Sequence, residues 1–241
     1  MKLQIALDFL REDFKPEPKE LALKVAKDTA EYIDIIEAGC PMNFLYGLQF
    51  VRDVRKLAPK TTIYADLKIW TMEDWEVRQA FEAGADMVQI QAFASDETIK
   101  NAVKIAKTYK KQIAINFDGY LDAQRDLKGN YLERLTFDVQ QGEKGAILKR
   151  AIEVDKMGVD YIGILWYTFH DPNYWTLLKE VRKAVKADIA VGGGMTLESL
   201  DSMLKGWFTP DIVIVGRSII NAPDPRQAAK AFKEKIMKFS P

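Results

Sequence analysis

In the stretch Ile63-Tyr64-Ala65-Asp66-Leu67-Lys68-Ile69-Trp70 an acid and a base stand two residues apart at the end of an apolar run. On a strand, residues two apart share a face, and two charges ending a buried strand cost free energy unless something pairs or uses them. Other apolar runs end in the same manner: one leads into Asp8, another carries Glu37 ahead of Ala-Gly, and a third ends in Asn116 and Asp118. Further on come "WYTFHDP", with Tyr167, His170 and Asp171, then Gly192-Gly193-Gly194, then Gly216-Arg217-Ser218. Two kinds of chemistry fit. Three carboxylates with one lysine leave net negative charge that a divalent cation would balance, and Mg2+ prefers such hard oxygen ligands. Glycine-rich turns that lead into helices expose N–H groups suited to a phosphate. Structural roles also fit the same residues. Asp8, Glu37, Asp66 and Lys68 could form an ion-pair network, a lone His170 after a strand is commonly a packing or capping residue, and "WYTFH" could be core and rim packing.

The elements that must position these groups alternate along the chain. Short β-rich runs at 3–7, 33–39, 62–67, 86–91, 112–117, 160–165, 188–193 and 211–216 are separated by stretches of helical period. Among the latter, "SDETIKNAVKIAKTY" opens on an N-cap at Ser95 or Asp96, and "DPRQAAKAFKEKIMKF" comes with Pro223 and Pro225, which suit a helix entry. Some eight βα units at a spacing of roughly 25–30 residues predict a (β/α)8 TIM barrel, a single domain over residues 1–241. The doubly wound alternative lacks its G-x-G-x-x-G after the first strand. In a barrel, the C-terminal strand ends build one functional face, and the turns after the seventh and eighth strands are the usual phosphate site. Residues from about 119 to 145 form a polar insert after the fifth strand, read either as a lid or as a solvated excursion with a short helix.

Composition narrows the function. Lys plus Arg and Asp plus Glu each number 35, so no basic stripe for nucleic acid is indicated. One cysteine, Cys40, excludes an internal disulfide, and one histidine, His170, excludes a multi-histidine metal site within the chain. The N-terminal residues show no basic segment followed by a long apolar run, and no stretch reaches the ~20 apolar residues of a membrane span. The expectation is a soluble cytoplasmic protein without membrane or nucleic-acid partners.

The motifs "LQIALD", "DIIEAG", "ADLK", "GGG" and "VGRSI" with the alanine-rich run behind it resemble the orotidine 5'-monophosphate decarboxylase superfamily, over nearly the whole chain apart from the insert. Within it they are most similar to the branch of 3-hexulose-6-phosphate synthase and 3-keto-L-gulonate-6-phosphate decarboxylase. The resemblance implies a Mg2+-dependent lyase acting on a sugar phosphate through a 1,2-enediolate, by aldol chemistry with formaldehyde or by decarboxylation. It implies Glu37 and Asp66 as Mg2+ ligands, Lys68 as the enediolate stabiliser, and Asp8 as the residue that orients substrate hydroxyls and the lysine. The phosphate is expected on the N–H groups of Gly193, Gly194 and Gly216 and on Arg217. A homodimer is implied, with the loop after the third strand near the partner, where Trp70 and Trp75 are interface candidates that could equally be core.

The chain also departs from the family pattern. The second motif aspartate falls on Thr71, with Glu73 and Asp74 nearby but out of register. The strand-five acid falls on Asn116 and the strand-six histidine on Tyr167, three residues before His170. The binding half of the site is kept while the proton-transfer half is rewritten, so Tyr167 and His170 stand as catalytic candidates beside Asp8, Asp66 and Lys68. Two alternatives remain at this point: a phosphosugar-binding sensor without catalysis, and a diverged isomerase or epimerase on the same barrel. The latter's relatives use several metal-binding histidines, which this chain lacks.

Overall fold

The computed structural model describes residues 1–9, 18–118, 141–165 and 172–239. Eight parallel strands close into one barrel in sequence order: β1 Lys2–Ala6, β2 Ile35–Ala38, β3 Thr62–Ile69, β4 Met87–Gln91, β5 Gln112–Asn116, β6 Tyr161–Leu165, β7 Asp188–Gly192 and β8 Ile212–Val215. Closure is made by β1 and β8, with Leu3 opposite Val213 and Ile5 opposite Val215. Each strand falls within or beside the run assigned to it from sequence, because eight β-branched runs bounded by turn residues are a local signal.

Helices cover the outside. Their apolar stripes bury Val25 and Ala26 of Pro18–Thr29, Phe50 and Val54 of Leu48–Leu57, and Phe232 and Ile236 of Pro225–Lys238. The expected N-cap before the fifth strand and the expected proline entry to the last helix are present, and Asp224 adds a cap that was not anticipated. Ser95, not Asp96, caps Asp96–Tyr109, its side chain accepting from Thr98 N, and Asp224 caps the last helix with Pro225 in its first turn. After β2 the chain makes two helices, Cys40–Tyr46 and Leu48–Leu57, broken at Gly47, whose φ of 59° is the left-handed conformation glycine adopts readily. Helix Gln141–Lys156 begins inside the segment read as an insert, so the last residues of that segment belong to a helix. The rest, with any lid role, lies outside the described residues.

Inside the barrel, alternating side chains fill the axis. Ala6, Ile35, Tyr64, Met87, Ala114, Tyr161, Ala190, Ile212 and Ile214 pack together, small alanines making room for two tyrosines whose ring centroids lie 5.6 Å apart. This apolar plug supports a polar ring, since the buried polar residues on the strands are Gln4, Glu37, Asp66, Gln89, Gln91 and Asn116, all from β1 to β5. Among the described residues the interior cluster takes Tyr161, Ala190, Ile212 and Ile214 from β6 to β8, so apart from the Tyr161 hydroxyl the buried polarity stands on the β1 to β5 side.

Candidate active site

β3 does not deliver its charged pair by simple alternation. The register with β4 shifts between Ala65 and Ile69, and Lys68 takes a φ of 52°, a conformation unusual for a residue with a side chain. A bulge of this kind re-aims a side chain beside a functional site. Here it brings Lys68 Nζ to 3.0 Å from Asp66 Oδ2 and 2.9 Å from Asp118 Oδ2. Asp66 is 4% exposed, and its second oxygen, Oδ1, is buried without a hydrogen-bond partner among the described residues.

Glu37 and Asp8 complete the cluster. Glu37, on β2, is buried, and its Oε2 accepts from Gln4 Nε2 at 2.7 Å. Gln4 in turn accepts from the Tyr161 hydroxyl at 3.2 Å, so Glu37 is tied to the aromatic plug. Asp8 follows β1, and its Oδ1 packs so closely on Gly39 that a Cβ there would stand 2.1 Å away.

The electrostatics follow from crowding acids in little water. Burial, then the charges of Asp8 and Asp66, push the Glu37 carboxyl well above the usual range. Asp8 is exposed as a whole residue, but its carboxylate is turned inward against Gly39. The protein around it, then the charge of Asp66, raise its pKa to about 6. Burial raises Asp66 against the opposing pull of Lys68. Burial alone would lower Lys68, but Asp66 and Asp118 outweigh it and push the ammonium upward, so it stays cationic at neutral pH.

The residues fit a hard divalent cation. Among the described residues Asp66 Oδ1 is a carboxylate oxygen without a hydrogen-bond partner, Glu37 stands on the adjacent strand, and burial raises the pKa of both. Among the described residues no group of three or more His, Cys, Asp or Glu side chains is placed to hold a metal ion by itself. Mg2+ characteristically uses one or two carboxylates and leaves its other positions to water and substrate oxygens.

The glycine turns stand on adjoining strands. Gly193 and Gly194 have φ of 101° and 71°, and the space a Cβ of Gly194 would occupy is open. Ser218 Oγ donates to Met195 O at 2.6 Å, tying the turn after β8 to the turn after β7. Gly216 precedes the short helix Arg217–Ile220, and Arg217 is exposed.

Of the residues singled out from sequence, the fold brings Asp8, Glu37, Asp66 and Lys68 into one cluster and places Gly193, Gly194, Gly216 and Arg217 on neighbouring turns. Tyr167 and His170 lie outside the described residues. Thr71 is exposed beside Trp70; of the nearby acids, Asp74 pairs with Arg78 and Glu73 accepts from Asn101. Sequence reasoning listed Asp118 as a strand-end residue without assigning it to the site, and it overlooked Gln4. Asp118 was within reach of that reasoning, since it shares the inward face of Asn116, whereas the Gln4 contact depends on side-chain reach across strands.

Fold and site together define a (β/α)8 barrel with a carboxylate–lysine centre and paired glycine turns after β7 and β8. The family model described as "Orotidine 5'-phosphate decarboxylase / HUMPS family" matches residues 1–232, and the chain belongs to that family. It is 34% identical over 242 residues to the 3-hexulose-6-phosphate synthase of Staphylococcus haemolyticus (strain JCSC1435), covering 98% of this chain and 99% of that protein. It is 32% identical over 243 residues to the 3-hexulose-6-phosphate synthase of Bacillus subtilis (strain 168), with the same coverage. A crystal structure of a 3-hexulose-6-phosphate synthase superposes with a TM-score of 0.73 at 29% identity, covering 98% of this chain and all of that one.

Proposed function

We propose that this chain is a Mg2+-dependent lyase that makes or breaks a carbon–carbon bond of a sugar phosphate by aldol chemistry through a 1,2-enediolate. The observation that carries the reading is Lys68, an ammonium held between two carboxylates at the barrel mouth, beside Asp66 Oδ1, which has no hydrogen-bond partner among the described residues. The similarity to 3-hexulose-6-phosphate synthases along the full chain supports the substrate class.

Each residue's part follows from its environment. The N–H groups of Gly193, Gly194 and Gly216, with Arg217, grip the phosphate and fix the sugar's orientation. Lys68 faces the oxygen on which charge develops and stabilises it by charge and hydrogen bonding. Its upward-shifted pKa leaves it no capacity as a base. Asp8, whose Oδ1 is pressed against Gly39 beside Asp66 and Lys68, orients substrate hydroxyls and the lysine. Glu37 and Asp66 would hold Mg2+, which when bound supplies positive charge against the enediolate. Tyr167 and His170 remain candidates for proton transfer.

A thermal-shift screen of pentulose and hexulose phosphates with and without Mg2+, followed by product analysis, tests the reading. Stabilisation by one of them that requires Mg2+, with release or uptake of formaldehyde, is the expected result. Stabilisation without turnover would instead favour a sensor.

The same assay carries a pH prediction. Asp8 has a folded pKa of about 6 against an ordinary 3.8, so in the metal-free protein its contribution to stability is full below the ordinary value and is lost as pH rises through about 6. Cation binding needs the deprotonated carboxylates and strengthens in the same direction. The Tm increase caused by Mg2+ is therefore expected to be large at about pH 8 and small at about pH 5. An equal increase at both would refute the assignment of the cation to this cluster.

A homodimer belongs to the same proposal. Phe44, Trp70, Met72 and Trp75 are exposed around the turn after β3, with Trp70 standing against Phe93, an apolar grouping of the kind an interface covers. Trp70→Glu combined with Trp75→Glu is expected to convert a dimer to a monomer in sedimentation velocity. Monomeric wild-type protein would remove this part of the proposal. Among the described residues no helix is long and apolar enough to cross a membrane, and a cytoplasmic location stays part of this reading.

A further inference from the structure

We propose that Asp118, at the rim of the barrel just beyond β5, is a positioning residue for Lys68. The inference rests on the reading of Lys68 as the group that stabilises the reacting oxygen.

The distances make Asp118 an equal partner. Its Oδ2 lies 2.9 Å from Lys68 Nζ, against 3.0 Å for Asp66 Oδ2. Asp66 and Lys68 share a strand, so that pair alone leaves the ammonium free to swing about the carboxylate. Asp118 approaches from the end of β5, two strands round the barrel, and the two contacts from different directions fix where Nζ stands. The need is acute because Lys68 combines a long, rotamer-rich stem with a φ of 52°. A non-glycine residue keeps such a backbone conformation only where its surroundings over-determine it, and a lysine side chain otherwise has much rotamer freedom to lose.

Asp118 is itself held. Asn116 Nδ2 donates to Asp118 Oδ2 at 3.2 Å, and Asp118 N donates to Asn116 Oδ1 at 3.3 Å. Asn116 is buried, whereas Asp118 is half-buried. A neutral amide tolerates the deeper position at far lower desolvation cost than a carboxylate would. The negative charge thus sits two residues along the same face, nearer water, with the buried amide as its bracket. Asn116 is therefore part of the device and not merely the loss of an acid.

The test compares wild type with Asp118→Asn, Asp118→Glu and Asn116→Ala, reading kcat, KM and the NMR order parameter of the Lys68 ε-methylene in protein with labelled lysine. Asp118→Asn is isosteric, and an unchanged circular dichroism spectrum controls for folding. Asp118→Asn is expected to lower kcat about 10- to 100-fold with KM changed less than about threefold, and to lower the Lys68 order parameter. Asp118→Glu is expected to restore most of both, and Asn116→Ala to shift both in the same direction as Asp118→Asn. An unchanged order parameter in Asp118→Asn overturns the inference, as does a loss confined to KM. If wild type turns over no sugar phosphate, the reaction assignment fails, while the order parameter still decides whether Asp118 holds Lys68.

Discussion

Lys68→Ala is expected to lower kcat by about 10²- to 10³-fold, the range seen when one preorganised donor to a developing oxyanion is removed. Two effects combine. The reacting oxygen loses its cationic partner, and Asp66, 4% exposed, is left with one oxygen already unpartnered and the other stripped of its counter-charge. Removing one member of a deeply buried pair destabilises by about 3–5 kcal/mol. Lys68 keeps about a third of its side chain in solvent, so after screening roughly 1–2 kcal/mol is expected here. Lys68→Met paired with Asp66→Asn separates the effects: stability should recover while activity stays lost. Steady-state kinetics and urea unfolding check both, and a Lys68→Ala enzyme with wild-type kcat would end the mechanistic reading.

Gly39→Ala is the second large effect, and it acts through shape. Gly39 has a φ of −66°, which alanine adopts without strain, so the backbone raises no objection. The added Cβ would stand 2.1 Å from Asp8 Oδ1 and 2.8 Å from Leu7 O. The carboxylate can swing away, but the carbonyl is backbone, and the neighbouring Leu7 N donates to Glu37 O at 3.1 Å to join the ends of β1 and β2. Relief therefore displaces Asp8, the end of β1, or both. Overpacking of this kind costs about 1–3 kcal/mol, and an error of about 1 Å at a reacting group costs about 10²-fold in rate. A drop of that order in kcat/KM is expected. Gly47→Ala is the control. Its φ of 59° with ψ of −163° falls in a region open essentially to glycine alone while nothing lies within 4 Å, so about 1–3 kcal/mol of stability should be lost with kcat/KM unchanged. Equal kinetics for the two variants would show that the close packing of Gly39 on Asp8 does not matter.

Asp118 shows where sequence reasoning stopped short. Asn116 and Asp118 share a face by alternation, so the presence of an acid near the strand-five position was readable. That it meets Lys68 was not, because the contact joins residues 50 apart through two intervening strand pairings and a bulge. The Gln4–Glu37 bond is a similar case, spanning adjacent strands through the reach of a glutamine side chain. Trp70 and Trp75 could be core or interface by sequence, since an aromatic residue in a loop fits both, and the fold leaves them exposed.

Eight strands, the helices between them, the Ser95 cap and the polar groups at strand ends were all readable from the order of residues. These depend on local periodicity and capping chemistry, and a closed barrel maps all C-terminal strand ends onto one face. How those groups meet came from the folded chain: Lys68 turned by a bulge between two carboxylates, Asp66 Oδ1 without a partner among the described residues, Asp8 pressed on Gly39, and Glu37 tied to the core through Gln4. Such contacts depend on register between strands, on backbone conformation at single residues and on side-chain reach. None of these leaves a periodic trace in the order of amino acids.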